Sequence, residues 1–125
     1  MLYTSNNLDV QYNDNFEHEA IEFVFKGHFT TEAGKAGAKV WRTEFDKYPA
    51  KSFVLIWNCE HMTGFDPSAR REWYDCIKDY KPRISKIIMA SNRIMIRGAA
   101  KVMFSIFGLK STLVKSFDEL EVVAK

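Results

Sequence analysis

The chain has 125 residues and 14.5 kDa, with 46% hydrophobic and 27% charged residues and a net charge of +2. That mixture excludes a disordered chain, and the length suits one domain, residues 1–125, with a core of its own. Two cysteines make no disulfide framework, no apolar run reaches the roughly 18–20 residues of a membrane span, and MLYTSNNLDV lacks a basic-then-apolar leader. A reduced, cytoplasmic setting is the expectation.

Leu8-Asp9-Val10-Gln11-Tyr12 alternates with period two and stops at the turn formers Asn13-Asp14-Asn15, which predicts an edge strand. AIEFVFK, residues 20–26, predicts a second strand, antiparallel to the first. Thr30 or Thr31 then caps a helix with Glu32 in its first turn. That helix carries Ala33, Ala36, Gly37, Val40, Trp41, Phe45 and Tyr48 at helical spacing and ends before Pro49. Gly34 and Gly37 each cost about 1 kcal/mol of helix propensity relative to Ala, which close packing on the sheet would offset.

The centre of the chain is SFVLIWNCEHMTGFDPSARR, residues 52–71. Residues 53–57 are five apolar residues in a row, the mark of a strand covered on both faces. A polar loop follows, and Asp66-Pro67 opens a helix with Asp as N-cap and Pro at the first helical position. This helix, about 67–80, buries Ala69, Trp73, Cys76, Ile77 and Tyr80. SKIIMAS, residues 85–91, is another apolar strand, and Ser91-Asn92 can cap the helix at 93–109. That last helix has a wide apolar surface and a narrow polar stripe in which Arg93, Arg97 and Lys101 recur every four residues. A short strand at 111–116 and a clipped helix at 117–125 complete the chain. Residues 81–117 hold eight Lys and Arg and no Asp or Glu, so the carboxyl-terminal part is basic.

Two strands followed by alternating helices and strands predict an α/β fold, a mixed sheet of about five strands with its N-terminal strand antiparallel. The order of elements resembles the STAS domain of bacterial anti-sigma-factor antagonists, within a divergent branch similar in topology to CRAL-TRIO lipid-transfer domains. The resemblance covers nearly the whole chain. It rests on the apolar strand 53–57, Met62-Thr63-Gly64-Phe65, Asp66-Pro67-Ser68-Ala69, residues 87–90, Gly108-Leu109 and Phe117-Asp118-Glu119-Leu120. In that family an Asp precedes a phosphorylatable Ser or Thr, a second Ser and a Gly. Here Asp66 falls on the Asp, Pro67 takes the phosphorylated position and Ala69 takes the glycine, so Ser68 is the nearest candidate phosphorylation site.

In such folds the helices line one face of the sheet. The second face of strand 53–57 must then be covered by terminal segments, a second copy of the chain or an apolar ligand. The resemblance implies a non-enzymatic regulatory module, binding a partner protein through Asp66, Ser68, Arg70, Arg71, Asn92 and Arg93 at the carboxyl ends of the strands. The alternative is a lipid, another apolar small molecule or an anionic membrane, met by Arg93, Arg97, Lys101, Met103, Phe104 and Phe107. Self-association as a homodimer fits either reading.

Catalytic and metal signatures are not found. Cys59 and His61 are too few for a metal site. His18 and His28 read as isolated, Glu60 and Asp66 lack a partner acid, and no Ser-His-Asp order, Gly-rich phosphate loop or HExxH motif occurs. No cofactor and no nucleic acid are expected.

Overall fold

A computed structural model describes residues 1–14, 19–116 and 118–119. Six strands form one sheet in strictly sequential order: β1 (Tyr3–Thr4), β2 (Leu8–Tyr12), β3 (Ala20–Phe29), β4 (Phe53–Phe65), β5 (Ile84–Ala90) and β6 (Ser111–Val114). The first two pairings are antiparallel and the remaining three parallel. Three helices make the parallel crossovers: α1 (Thr31–Lys47), α2 (Pro67–Tyr80) and α3 (Ile94–Phe107). The mixed α/β architecture expected from the element order is the one observed, and the apolar ribbon 53–57 lies mid-sheet.

Two differences have clear causes. The sheet has six strands because Tyr3 pairs with Val10 and Thr4 with Asp9, a two-residue contact too short to leave a period in the sequence. The segment 58–65, read as a polar loop, continues β4 instead. Its ladder with β3 is bulged between Val24 and Lys26 and between Gly27 and His28. Gly27 adopts a left-handed φ of 66° there, which glycine accepts without strain. The bulges put Cys59 and Met62, three residues apart, on the same inner face, so alternation fails as a guide.

All three helices cover one face. Leu8, Val10, Ile21, Phe23, Phe25, Phe53, Leu55, Trp57, Ile87 and Met89 from the sheet pack there against α1, α2 and α3. Trp73 of α2 is the hub: its ring centroid lies 5.2 Å from Phe23 and Trp41 and 6.3 Å from Trp57. Gly34 and Gly37 explain themselves here. A Cβ on Gly34 would sit 2.8 Å from the Ala69 Cα of α2, and one on Gly37 would sit 2.6 Å from Leu8.

The second face carries Ala20, Val54, Ile56, Ile88 and Ala90, with Val114 beside them. The first five are buried within the single chain and Val114 is half-buried, so neither a second copy nor a ligand is needed to cover the five. Among them sits Glu22, 3% exposed and accepting a 2.7 Å hydrogen bond from Asn13 Nδ2. Burial raises its carboxyl above the ordinary range, against the lowering effect of its amide neighbours. The terminal helix expected at 117–125 falls almost wholly outside the described residues, as does His18.

Candidate functional site

The carboxyl ends of the parallel strands form the rim where ligands of open α/β sheets bind. At this rim β3 delivers His28, α1 begins at Thr31, and β4 delivers Asp66 at the head of α2. Asp66 is the N-cap residue of α2, but its carboxylate does not cap its own helix. It accepts instead from the Thr31 backbone N–H at 2.9 Å, the first residue of α1, and meets His28 Nε2 at 2.7 Å. The carboxylate thus ties the starts of two helices and the end of β3 together. The hydrogen bond from His28, then that from the Thr31 amide, holds the Asp66 carboxyl below its ordinary range. Thr30 is the true cap of α1, its hydroxyl accepting from the Ala33 N–H at 3.1 Å.

His28, read from sequence as isolated, is therefore a partner of Asp66. The spacing of 38 residues leaves no local signal, and only the register of β3 against β4, with Phe29 opposite Phe65, brings the two together. Ser68 is exposed at the start of α2, with its hydroxyl in hydrogen-bond contact with that of Thr31. Arg70 lays its guanidinium 5.8 Å from the ring centroids of Phe65 and Tyr74. Arg71, Asn92 and Arg93 are exposed, and Ser91 Oγ accepts from the Arg93 N–H at 3.1 Å at the head of α3.

The residues expected on the basic helix separate into two groups. Arg93 and Lys101 are exposed and Arg97 is half-buried, and among the described residues none of the three is in an ion pair. Met103 and Phe104 face the sheet and are buried, while Phe107 is half-buried with its ring edge-on to Tyr74 at 5.4 Å. The apolar surface read as one wide face is two. Ile96, Ala100, Met103 and Phe104 face inward. Ile94, Met95, Val102 and Ile106 face outward, 78%, 87%, 58% and 63% exposed. Ile94, Gly98, Val102 and Ile106 recur every four residues, a second stripe that the sequence holds but that merges with the first when apolar positions are only counted.

Beneath the rim, between the sheet, α2 and α3, lies a cavity of about 50 Å3. Its walls are aromatic and sulfur-bearing, with Trp57, Trp73, Cys59, Met62, Met89 and Met103 among them, and Arg70 is its charged residue. Cys59 is buried and His61 exposed, and no three potential ligands from His, Cys, Asp and Glu cluster among the described residues.

This architecture has counterparts of known structure. An uncharacterized protein of the DUF3478 family from Shewanella loihica PV-4, with a SpoIIAA-like fold, superposes with a TM-score of 0.79 at 8% identity, covering 100% of this chain and 99% of that one. The fold is STAS-like. The anti-sigma factor antagonist SpoIIAA, in its unphosphorylated form, superposes with a TM-score of 0.64 at 14% identity over 92% of this chain and 96% of its own. No protein-family model and no curated protein matches the sequence. Among the described residues no helix is long and apolar enough to cross a membrane.

Proposed function

We propose that this STAS-like protein is a non-enzymatic docking module that lays the outer stripe of α3 on an anionic lipid surface. The observation that carries this reading is the outward exposure of Ile94, Met95, Val102 and Ile106 beside Arg93, Arg97 and Lys101. No carboxylate occurs from residue 81 to 117 to oppose a negative surface. An apolar face that enters the headgroup boundary with cations beside it is the pattern of an interfacial helix. Each Lys or Arg near such a surface contributes about 1 kcal/mol, and the term decays with salt. Flotation with phosphatidylserine-containing vesicles tests it. Binding should weaken with added salt, with Arg97→Glu and with Met95→Ser, and should be absent on neutral phosphatidylcholine. Indifference to anionic vesicles would remove the reading, and sedimentation of a stable dimer that buries the stripe would replace it by self-association.

A second reading is favoured by the rim: binding of a partner protein through Asp66, Ser68, Arg70, Arg71, Asn92 and Arg93. Its support is the fold shared with an anti-sigma factor antagonist and the exposure of Ser68, Arg70, Arg71, Asn92 and Arg93. In this reading Ser68 is the modification point, since Pro67 has no hydroxyl and a phosphate on Ser68 would break its contact with Thr31. Mass spectrometry of native protein should find phosphate on Ser68. Unmodified Ser68 under all growth conditions ends that version.

A further inference from the structure

We propose that Ser105 is a phosphorylation site whose occupancy releases α3 from the anionic surface, an inference that rests on the lipid-docking reading of the same helix. Ser105 is the one hydroxyl residue of α3, and it is exposed. It follows Ile94 by eleven residues, about three helical turns, so the two share a line along the helix. Lys101 and Val102 lie one turn before it and Ile106 beside it. The hydroxyl therefore stands in the middle of the outer stripe, not at its margin. Thr30, Thr43 and Ser91 each bond a backbone group, whereas the Ser105 hydroxyl has no hydrogen bond among the described residues. No bond of the fold is lost when it is modified.

Two ammonium groups flank this turn of the helix. Lys101 precedes Ser105 by four residues. Lys81, from the turn that follows α2, brings its Nζ to 3.8 Å from where a Cβ on Gly108 would stand. The Gly108 N–H donates to the Ser105 carbonyl at 3.2 Å, so Lys81 reaches the same end of α3. Both lysines are exposed, and neither is in an ion pair among the described residues. A phosphoserine carries about −1.5 to −2 charges and three acceptor oxygens, which suits a pair of ammonium groups. On Ser105 it cancels roughly two of the three charges of Arg93, Arg97 and Lys101, and sets an anion beside Val102 and Ile106.

The modifying step is phosphoryl transfer from a nucleoside triphosphate held by a protein kinase. Ser105 Oγ bonds to the γ-phosphorus, the bond to the β–γ bridging oxygen breaks, the hydroxyl proton passes to the kinase's base, and the nucleoside diphosphate leaves. While α3 lies on lipid its outer stripe is covered, so the kinase meets only the free chain and modification traps the released state.

The test uses the full chain with phosphoserine installed at residue 105 by an expanded genetic code, floated beside the unmodified chain with phosphatidylserine-containing vesicles. Each Lys or Arg near such a surface is worth about a fivefold factor, so binding should weaken about thirtyfold and return on phosphatase treatment. Binding within about threefold of the unmodified chain overturns the proposal and leaves the lipid reading intact, whereas failure of the unmodified chain to float removes both. Phosphorus NMR of the phosphoprotein should show a second ionisation below the usual value of about 6, moving back toward it in Lys81→Gln and Lys101→Gln. A midpoint indifferent to both lysines overturns the site as drawn. Mass spectrometry of native protein should find phosphate on Ser105, and a residue unmodified under all growth conditions overturns it too.

Discussion

Replacing Gly34 by Ala sets two known effects against each other in α1. Alanine gains about 1 kcal/mol of helix propensity over glycine in a helix interior. Against this, the new Cβ would lie 2.8 Å from the Ala69 Cα, 2.9 Å from its Cβ and 3.3 Å from its carbonyl oxygen. These atoms are backbone or fixed to it, Ala69 is fully buried, and no flexible side chain can swing aside, so α1 and α2 must separate. Overpacking of that kind costs about 1–3 kcal/mol, and contacts under 3 Å to rigid atoms belong to the upper half of the range. The expected net is a loss of about 1–2 kcal/mol for Gly34→Ala. Gly98 in α3 provides the control, since a Cβ there meets nothing within 4 Å. Gly98→Ala should gain about 1 kcal/mol, leaving the two variants about 2–3 kcal/mol apart with opposite signs. Urea denaturation followed by tryptophan fluorescence measures both, with equal m-values confirming that only stability changed. At this chain length the gap corresponds to roughly 8–12 °C in Tm. If Gly34→Ala proves as stabilising as Gly98→Ala, the close approach of α1 to α2 is not what places glycine at residue 34.

Two further outcomes follow from groups inside the fold. Glu22 is held above its ordinary pKa of 4.5 by burial, so the native state keeps a proton that the unfolded chain releases. Stability should therefore fall as pH rises from about 4.5 through the raised native value, and Glu22→Gln should flatten that fall; equal pH profiles for the two proteins would refute the burial argument. Burial also pushes the Cys59 thiol far up and the Cys76 thiol up to about 12, so neither should react with an aromatic disulfide reagent at pH 8 until denaturant is added, and rapid labelling of the native protein would contradict their placement.

The layout of the sheet was legible because residues 53–57 are apolar without alternation, which demands a central, doubly covered strand, and β4 is that strand. Helix limits were legible from Pro49 and Pro67, whose rings restrict the backbone, and from Gly108, which accepts the left-handed conformation that ends α3. What failed was whatever depends on register. The bulges opposite Val24 and Gly27 let β4 run on to Phe65 with inward residues three apart, whereas the polar Asn58, Glu60, His61 and Thr63 made the segment after Trp57 read as a loop. The His28 contact with Asp66 crosses two strands and has no sequence neighbour to announce it. Asp66 illustrates the same limit from another side: residue type and the following Pro predicted a cap, and the carboxylate does bind a helix N–H, but that of α1. On α3 the composition was right and the division was not. Counting apolar residues finds one broad face, whereas separating the 94, 98, 102, 106 line from the positions that meet the sheet finds two.

Strictly sequential strand order bears on how the molecule is made. Each strand lies beside the one synthesised just before it, so the sheet can grow outward during translation, one strand and one crossover at a time. Nothing translated later must be inserted between partners already joined, although each of the three parallel pairings has to wait for its crossover helix.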